Sequence, residues 1–317
     1  MNALGQTIRF VGVALSVIVT ATSCEHKNIE CPGAAQGVHI LFEWDKAAGA
    51  DVAGMTLYFY PQDTHGRLWR FDIAGRDGGN IELPVGHYSM IACNNDLPGI
   101  TLEDTDLPET IRATARRQAQ EGLYSSTGML YGVTVSSLEV TPCGVRYITE
   151  AGAVKECSRG LVRCSPDSLA TDYTIILRNL SGAERIRSAS AVLKGVYASM
   201  LLQDTLPYGS PESLAINMTA DRKAATLTGH ASAFAPPEAS VSDYMLSLRI
   251  VKTDGKTISI PVEIKPENMN LITRHNVIIT ADGVIIPGDG TSSDDIGGID
   301  AAVDGWNVIE IDVAPTV

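Results

Sequence analysis

The feature that most restricts the fold is a recurring short segment, rich in β-branched and aromatic residues and closed at its ends by Gly, Asp or Pro. "VHILFEWD" (38–45), "MTLYFYP" (55–61) and "LWRFDI" (68–73) are of this kind, with "DTHGR" (63–67) and "GRDGGN" (75–80) as turns. In "IELPVGHYSMIACNND" (81–96), Tyr88, Met90 and Ala92 alternate with Ser89, Ile91 and Cys93, the period of two that a strand requires. The second half repeats the style in "DYTIILRNL" (172–180), "IRSASAVLKGVYASMLLQD" (186–204), "SLAINMTADRKAATLTGHASAF" (213–234), "YMLSLRIVKTDGKTISIPVEI" (244–264) and "NLITRHNVIITADGVII" (270–286). About seven short strands in each half predict an all-β chain of two β-sandwich domains in tandem.

One stretch departs from this texture. "PETIRATARRQAQEG" (108–122) has helix formers, a closing Gly and a thin apolar stripe at Ile111, Ala115 and Ala119, and predicts a surface helix or a partly ordered crossing. Residues 151–169 have low strand propensity at either end and read as a linker. The expected organisation is a leader over 1–23, a tether over 24–37, a first sandwich over 38–150, the linker, and a second sandwich over 170–317.

The leader follows from "VGVALSVIV" (11–19), an apolar run of signal-peptide length that is too short to cross a bilayer core of about 30 Å. Ala21, Thr22 and Ser23 precede Cys24, and small residues before a cysteine at this distance resemble a bacterial lipobox. Cys24 is then the lipidated N-terminus of the mature chain, expected at the outer membrane and the cell surface. The alternative is an ordinary secretory signal cleaved nearby, and either route takes the chain out of the cytoplasm. With Cys24 lipidated, five of six cysteines remain, so at least one thiol is left over. Cys157 and Cys164 bracket "SRGLVR" and are candidates for a short disulfide loop.

Chemistry-bearing motifs are missing. The chain has no G-x-S-x-G elbow, no H-E-x-x-H and no phosphate-cradling loop, and its six histidines stand singly. The acidic run over 288–305 carries Asp289, Asp294, Asp295, Asp300 and Asp304, but its spacing fits neither an EF-hand nor a nonapeptide repeat. It reads as a solvated loop, and no metal or cofactor is expected. A net charge of −13 argues against a nucleic-acid partner.

Taken together, "HILFEWD", "GMTLYFYPQD" and "RFDIAGRDGGNIELPVGHYSMIACNND" resemble the N-terminal domain of FimB-type fimbrial anchor or minor-subunit lipoproteins of Bacteroides and relatives. The Leu-Pro-x-Gly-x-Tyr turn at Leu83 to Tyr88 and Asn94 to Asp96 carry the likeness, as does "VDGWNVIEIDV" (303–313) at the end. The resemblance implies two transthyretin-like sandwiches held to the outer membrane by lipid, with fimbrillin subunits as partners and no enzymatic role. It also implies a subunit interface at the terminal strand, where Trp306, Val308, Ile309, Ile311 and Val313 are the candidates. A surface carbohydrate-binding lipoprotein is the competing reading, with Trp44, Trp69 and Trp306 as the available platforms.

Overall fold

The computed structural model describes residues 35–288 apart from 64–65, 119–122, 150, 236–243, 265–268 and 274. Cys24 and the terminal candidates from Trp306 to Val313 lie outside the described residues, as does the acidic run from Asp289 onward.

The chain is all-β. The first strands are β1 (Ala35–Phe42), β2 (Gly54–Pro61), β3 (Trp69–Ala74), β4 (Gly78–Pro84), β5 (Gly86–Asn94), β6 (Ile100–Glu103) and β7 (Arg112–Ala115). There follow β8 (Tyr131–Thr141), β9 (Gly144–Ile148), β10 (Val154–Cys157), β11 (Leu161–Cys164) and β12 (Asp167–Ser168). The later strands are β13 (Thr171–Arg178), β14 (Ile186–Val196), β15 (Ser199–Leu201), β16 (Leu206–Tyr208) and β17 (Glu212–Asp221). The last described are β18 (Thr226–Ala233), β19 (Met245–Lys252), β20 (Thr257–Val262), β21 (Met269–Thr273) and β22 (Asn276–Asp282).

In the first half a three-stranded sheet, β11-β1-β4, faces a seven-stranded sheet, β10-β9-β8-β5-β2-β3, with β12 added to β8. Val38, Ile40 and Phe42 of β1 meet Met55, Leu57 and Phe59 of β2 in the core between them. The turn before β4 brings two backbones together at Gly78, whose φ is +108° and where a Cβ would lie 2.0 Å from the carbonyl oxygen of Ile40. Only glycine fits there.

The second half is one eight-stranded sheet, β20-β19-β14-β17-β18-β13-β22-β21. Its alternating residues, among them Tyr173, Ile175, Leu177, Leu193, Leu248 and Ile279, form a single core. Every strand-borne member of that core comes from this sheet, so the sheet folds over to cover its own apolar face.

A third core explains why β2 is buried on both faces. Tyr58 and Tyr60 point away from the sandwich interior, and with Ile91 and Cys93 they pack on Ile111, Ala113, Met200 and Phe234. The cover is a four-stranded sheet, β16-β15-β7-β6, built from both halves of the chain, with β15 antiparallel to β7. Hydrogen bonds outside this sheet add to the join: Tyr124 N–H to the Ser213 carbonyl at 3.0 Å and Thr127 N–H to the Ser232 carbonyl at 2.9 Å. The halves are therefore joined laterally, through backbone pairing.

Two expectations change. Residues 112–115 are a strand, because Ile111, Ala113 and Ala115 are all buried and so share a face at period two. The stripe at 111, 115 and 119 matched a helix only because Ala113 was not weighed in it. The stretch 151–169 carries β10, β11 and β12 in place of a linker. β11 lies parallel to β1 and β10 antiparallel to β9, so this stretch completes the first half.

Candidate functional site

The disulfide expected between Cys157 and Cys164 is not formed. The two residues belong to different sheets: Cys157 pairs with Val145 of β9 and Cys164 with Phe42 of β1. The Cys157 sulfur instead accepts the backbone N–H groups of Leu161 and Arg159. Those two N–H groups, with the Arg159 and Arg163 guanidinium groups, hold the Cys157 thiol below its usual pKa. Cys93, fully buried, is pushed up to about 12 by desolvation.

The motifs of the family resemblance that lie among the described residues hold the fold together. Tyr88 turns back over the Leu-Pro-x-Gly-x-Tyr turn and donates its hydroxyl to the Pro84 carbonyl at 3.0 Å, while its ring meets Phe59 edge-on at 6.4 Å. Asn94 is buried at the end of β5. Its amide donates to Asp96 Oδ1 at 2.9 Å and to the Met129 carbonyl at 3.2 Å, and its carbonyl accepts Tyr131 N–H at 2.8 Å. Asp96 in turn accepts Ala53 N–H at 3.2 Å. Trp44 is buried, with its indole N–H on the Arg76 carbonyl at 2.7 Å and the Arg76 guanidinium 5.1 Å from its ring centre. Trp69 alone of the described tryptophans reaches solvent, at 38% exposure. A sugar platform of clustered tryptophans is absent among the described residues.

Open sheets end in rows of N–H and C=O groups, and these edges are guarded to different degrees. On β3, Arg70 and Asp72 form an exposed ion pair at 3.2 Å. On β20, Lys252 N–H donates to the Lys256 carbonyl at 2.8 Å, which sets the alternation of the ladder and turns Thr257, Ser259 and Pro261 outward. Pro261 removes one of those outward donors. β16 carries Pro207 between exposed Leu206 and Tyr208, with the Arg112 guanidinium 5.3 Å from the Tyr208 ring centre.

In the first half a cleft of about 850 Å³ opens beside β8. Its floor includes the buried Val133, Val135 and Tyr147, and its rim includes Lys155, Cys157 and Arg163. The Tyr147 hydroxyl accepts Arg163 N–H at 3.0 Å, and the Arg163 guanidinium pairs with Glu43. Sequence reading missed this place, because its residues come from β8, β9, β10 and β11 and no local motif marks them. Among the described residues no group of three or more His, Cys, Asp or Glu side chains could hold a metal, and no helix is long and apolar enough to cross a membrane.

The family known as DUF5119, a domain of unknown function, matches residues 23–217. The chain belongs to that family. This DUF5119 chain is 26% identical over 134 residues to a Bacteroides ovatus protein named "Putative fimbrium anchoring subunit Fim4B". That match spans 40% of this chain and only 40% of the relative's length. The crystal structure of a protein described as a "putative adhesin" from Bacteroides ovatus superimposes with a TM-score of 0.62 at 18% identity, over 81% of this chain and 94% of that one. That likeness shows the fold. The fimbrial anchor protein Mfa2 of Porphyromonas gingivalis aligns with a TM-score of 0.47 at 14% identity, over 78% of this chain and 90% of that one. The resemblance to Bacteroides fimbrial anchor proteins read from the sequence is thus found among its relatives.

Proposed function

We propose that this DUF5119 chain is a lipid-anchored cell-surface subunit of a fimbria, an anchor or accessory component without enzymatic activity. Acyl chains on Cys24 hold it in the outer membrane, and backbone edges bind fimbrillin subunits. The observation that carries the reading is the match to a Bacteroides protein named as a fimbrium anchoring subunit. The lipobox-like sequence before Cys24 supports the membrane end of it.

The geometry suits a load-bearing role. Ten residues separate Cys24 from Ala35, so a pull on the lipid enters the fold at β1. β1 is the middle strand of its sheet, antiparallel to β4 over seven residue pairs and parallel to β11 over four. A pull along β1 loads both ladders in shear, and many hydrogen bonds must then give way together. Each acyl CH₂ in the membrane contributes about 0.8 kcal/mol, so several chains together hold far more firmly than one. Residues 306–313, with their alternation of Val308, Glu310 and Asp312 against Ile309, Ile311 and Val313, are proposed as a further pairing strand toward a neighbouring subunit.

The test is fractionation of cells carrying Cys24→Ala. The expected result is loss of the protein from the outer membrane and release of filaments into the medium. Filaments that stay attached while the variant is present and unlipidated would remove the anchoring role.

A further inference from the structure

The seven-stranded sheet is interrupted in its interior. On one side β8 is paired with β5 from Gly132 to Val135 and again from Leu138 to Val140. On the other side β12 takes Tyr131 and Gly132, and β9 takes Leu138 to Thr141. Between them Val133, Thr134 and Val135 have no strand neighbour on that side among the described residues. β9 and β12 both run antiparallel to β8, so the two ends of the gap lie in line. The residues from 133 to 137 span about 16 Å at ~3.3 Å each, room for four or five extended residues.

The cleft lies along this gap. Val133 and Val135 turn into the sandwich core, as do Tyr147 and Cys164 on the walls, so a strand added here sets every second side chain against apolar surface. The chemistry at one end is specific. Lys155 pairs in register with Tyr147, and Tyr147 with Leu138, so Lys155 stands at the β9 end of the gap on the core side of the sheet. Arg163 is matched by Glu43 and Glu156 by Arg146, whereas Lys155 has no acidic partner among the described residues. In a chain of net charge −13, a cation left open beside an unpaired strand edge selects a carboxylate.

We propose that this opening binds an extended segment of a neighbouring subunit, added to β8 as a strand. Apolar side chains at alternate positions face Val133 and Val135, and a carboxylate on the same face reaches Lys155. The inference rests on the edge-pairing reading above and gives it a place. An extended backbone supplies alternating N–H and C=O groups in register with β8. A compact small molecule has no such row of groups.

The test uses the full chain and two synthetic probes, acetyl-Glu-Thr-Val-Thr-Val-amide and the reversed acetyl-Val-Thr-Val-Thr-Glu-amide, which present the same face in opposite strand directions. One of them is expected to bind saturably and to slow hydrogen exchange at Thr134, whose N–H faces the gap because the Leu130 carbonyl, four residues earlier and just ahead of β8, accepts Leu169 N–H on that side. Lys155→Glu, an exposed change that leaves the core intact, is expected to weaken it roughly ten-fold. N-methylation of the probe backbone is expected to abolish binding. Exchange at Thr134 left unchanged by both probes, protection appearing at β20 instead, or equal binding of the N-methylated probe would each overturn the proposal. Filaments retained by cells carrying Thr134→Trp would sink the site and leave the lipid-anchor reading standing. Filaments retained with Cys24→Ala would sink that reading instead.

Discussion

The side-chain carbonyl of Asn94 accepts the backbone N–H of Tyr131 at 2.8 Å, and through that bond the end of β5 is latched to the start of β8. The same amide donates to Asp96 and to the Met129 carbonyl, so every polar atom of this buried side chain is used. Asn94→Leu would leave the part-buried Tyr131 N–H and Met129 carbonyl without that partner. The expected cost is about 2–3 kcal/mol, read as a lower midpoint in urea unfolding with an unchanged slope.

Tyr88→Phe keeps the ring against Phe59 and removes only the hydroxyl bond to Pro84. A loss of about 1 kcal/mol is expected, against about 3–5 kcal/mol for Tyr88→Ala, which also empties the core position. Equal losses for the two variants would show that the hydroxyl, and not the ring, holds this turn.

The four-stranded sheet is shared by the two halves. Calorimetry is expected to show a single unfolding transition. Phe234→Ala, at a fully buried position in the joining core, should cost about 3–5 kcal/mol. Met200→Arg places a charge in that core and should split the transition in two, because each half keeps a core of its own.

Thiol labelling separates the described cysteines by environment. Cys143 and Cys157 are expected to react in the folded protein, and the buried Cys93 and Cys164 only on unfolding. Cys157 should go on reacting with iodoacetamide as the pH falls below the usual thiol range, because backbone N–H groups and Arg159 favour its thiolate. Peptide mapping without reductant should recover no Cys157–Cys164 bridge.

Asp254 ties the β19–β20 turn together, accepting Lys256 N–H at 2.9 Å and pairing with the fully buried Lys252 at 3.2 Å. First the Lys256 N–H and then Lys252 hold the Asp254 carboxyl below its usual pKa. A carboxylate depressed in the folded state adds stability above its unfolded pKa, near 3.8, and loses it as the pH falls through the lower folded value. Asp254→Asn should therefore narrow the stability gap between pH 6 and pH 3 in parallel thermal melts. An unchanged gap would remove this carboxylate from the acid response.

The secondary-structure class and much of its detail are written in local residue patterns. Alternation and turn chemistry are local: Tyr88, Met90 and Ala92 show a strand wherever they are placed, and the Gly at 78 announces a tight turn. β2 is buried on both faces, and "MTLYFYP" alone does not say why. The cause is tertiary: Tyr58 and Tyr60 meet a sheet assembled from residues 100–115 and 199–208, nearly a hundred positions apart. The same distance hid β7, whose helix formers are overruled because Ala113 is needed inside, and β11, whose pairing with β1 spans more than a hundred residues. The gap along β8 is the extreme case. An unpaired stretch is a relation among β5, β9, β12 and the strand they flank, and no segment carries the mark of a neighbour it lacks. Local backbone preference can be read from adjacent residues, whereas the pairing of edges is decided by whichever distant strands the packed cores bring alongside.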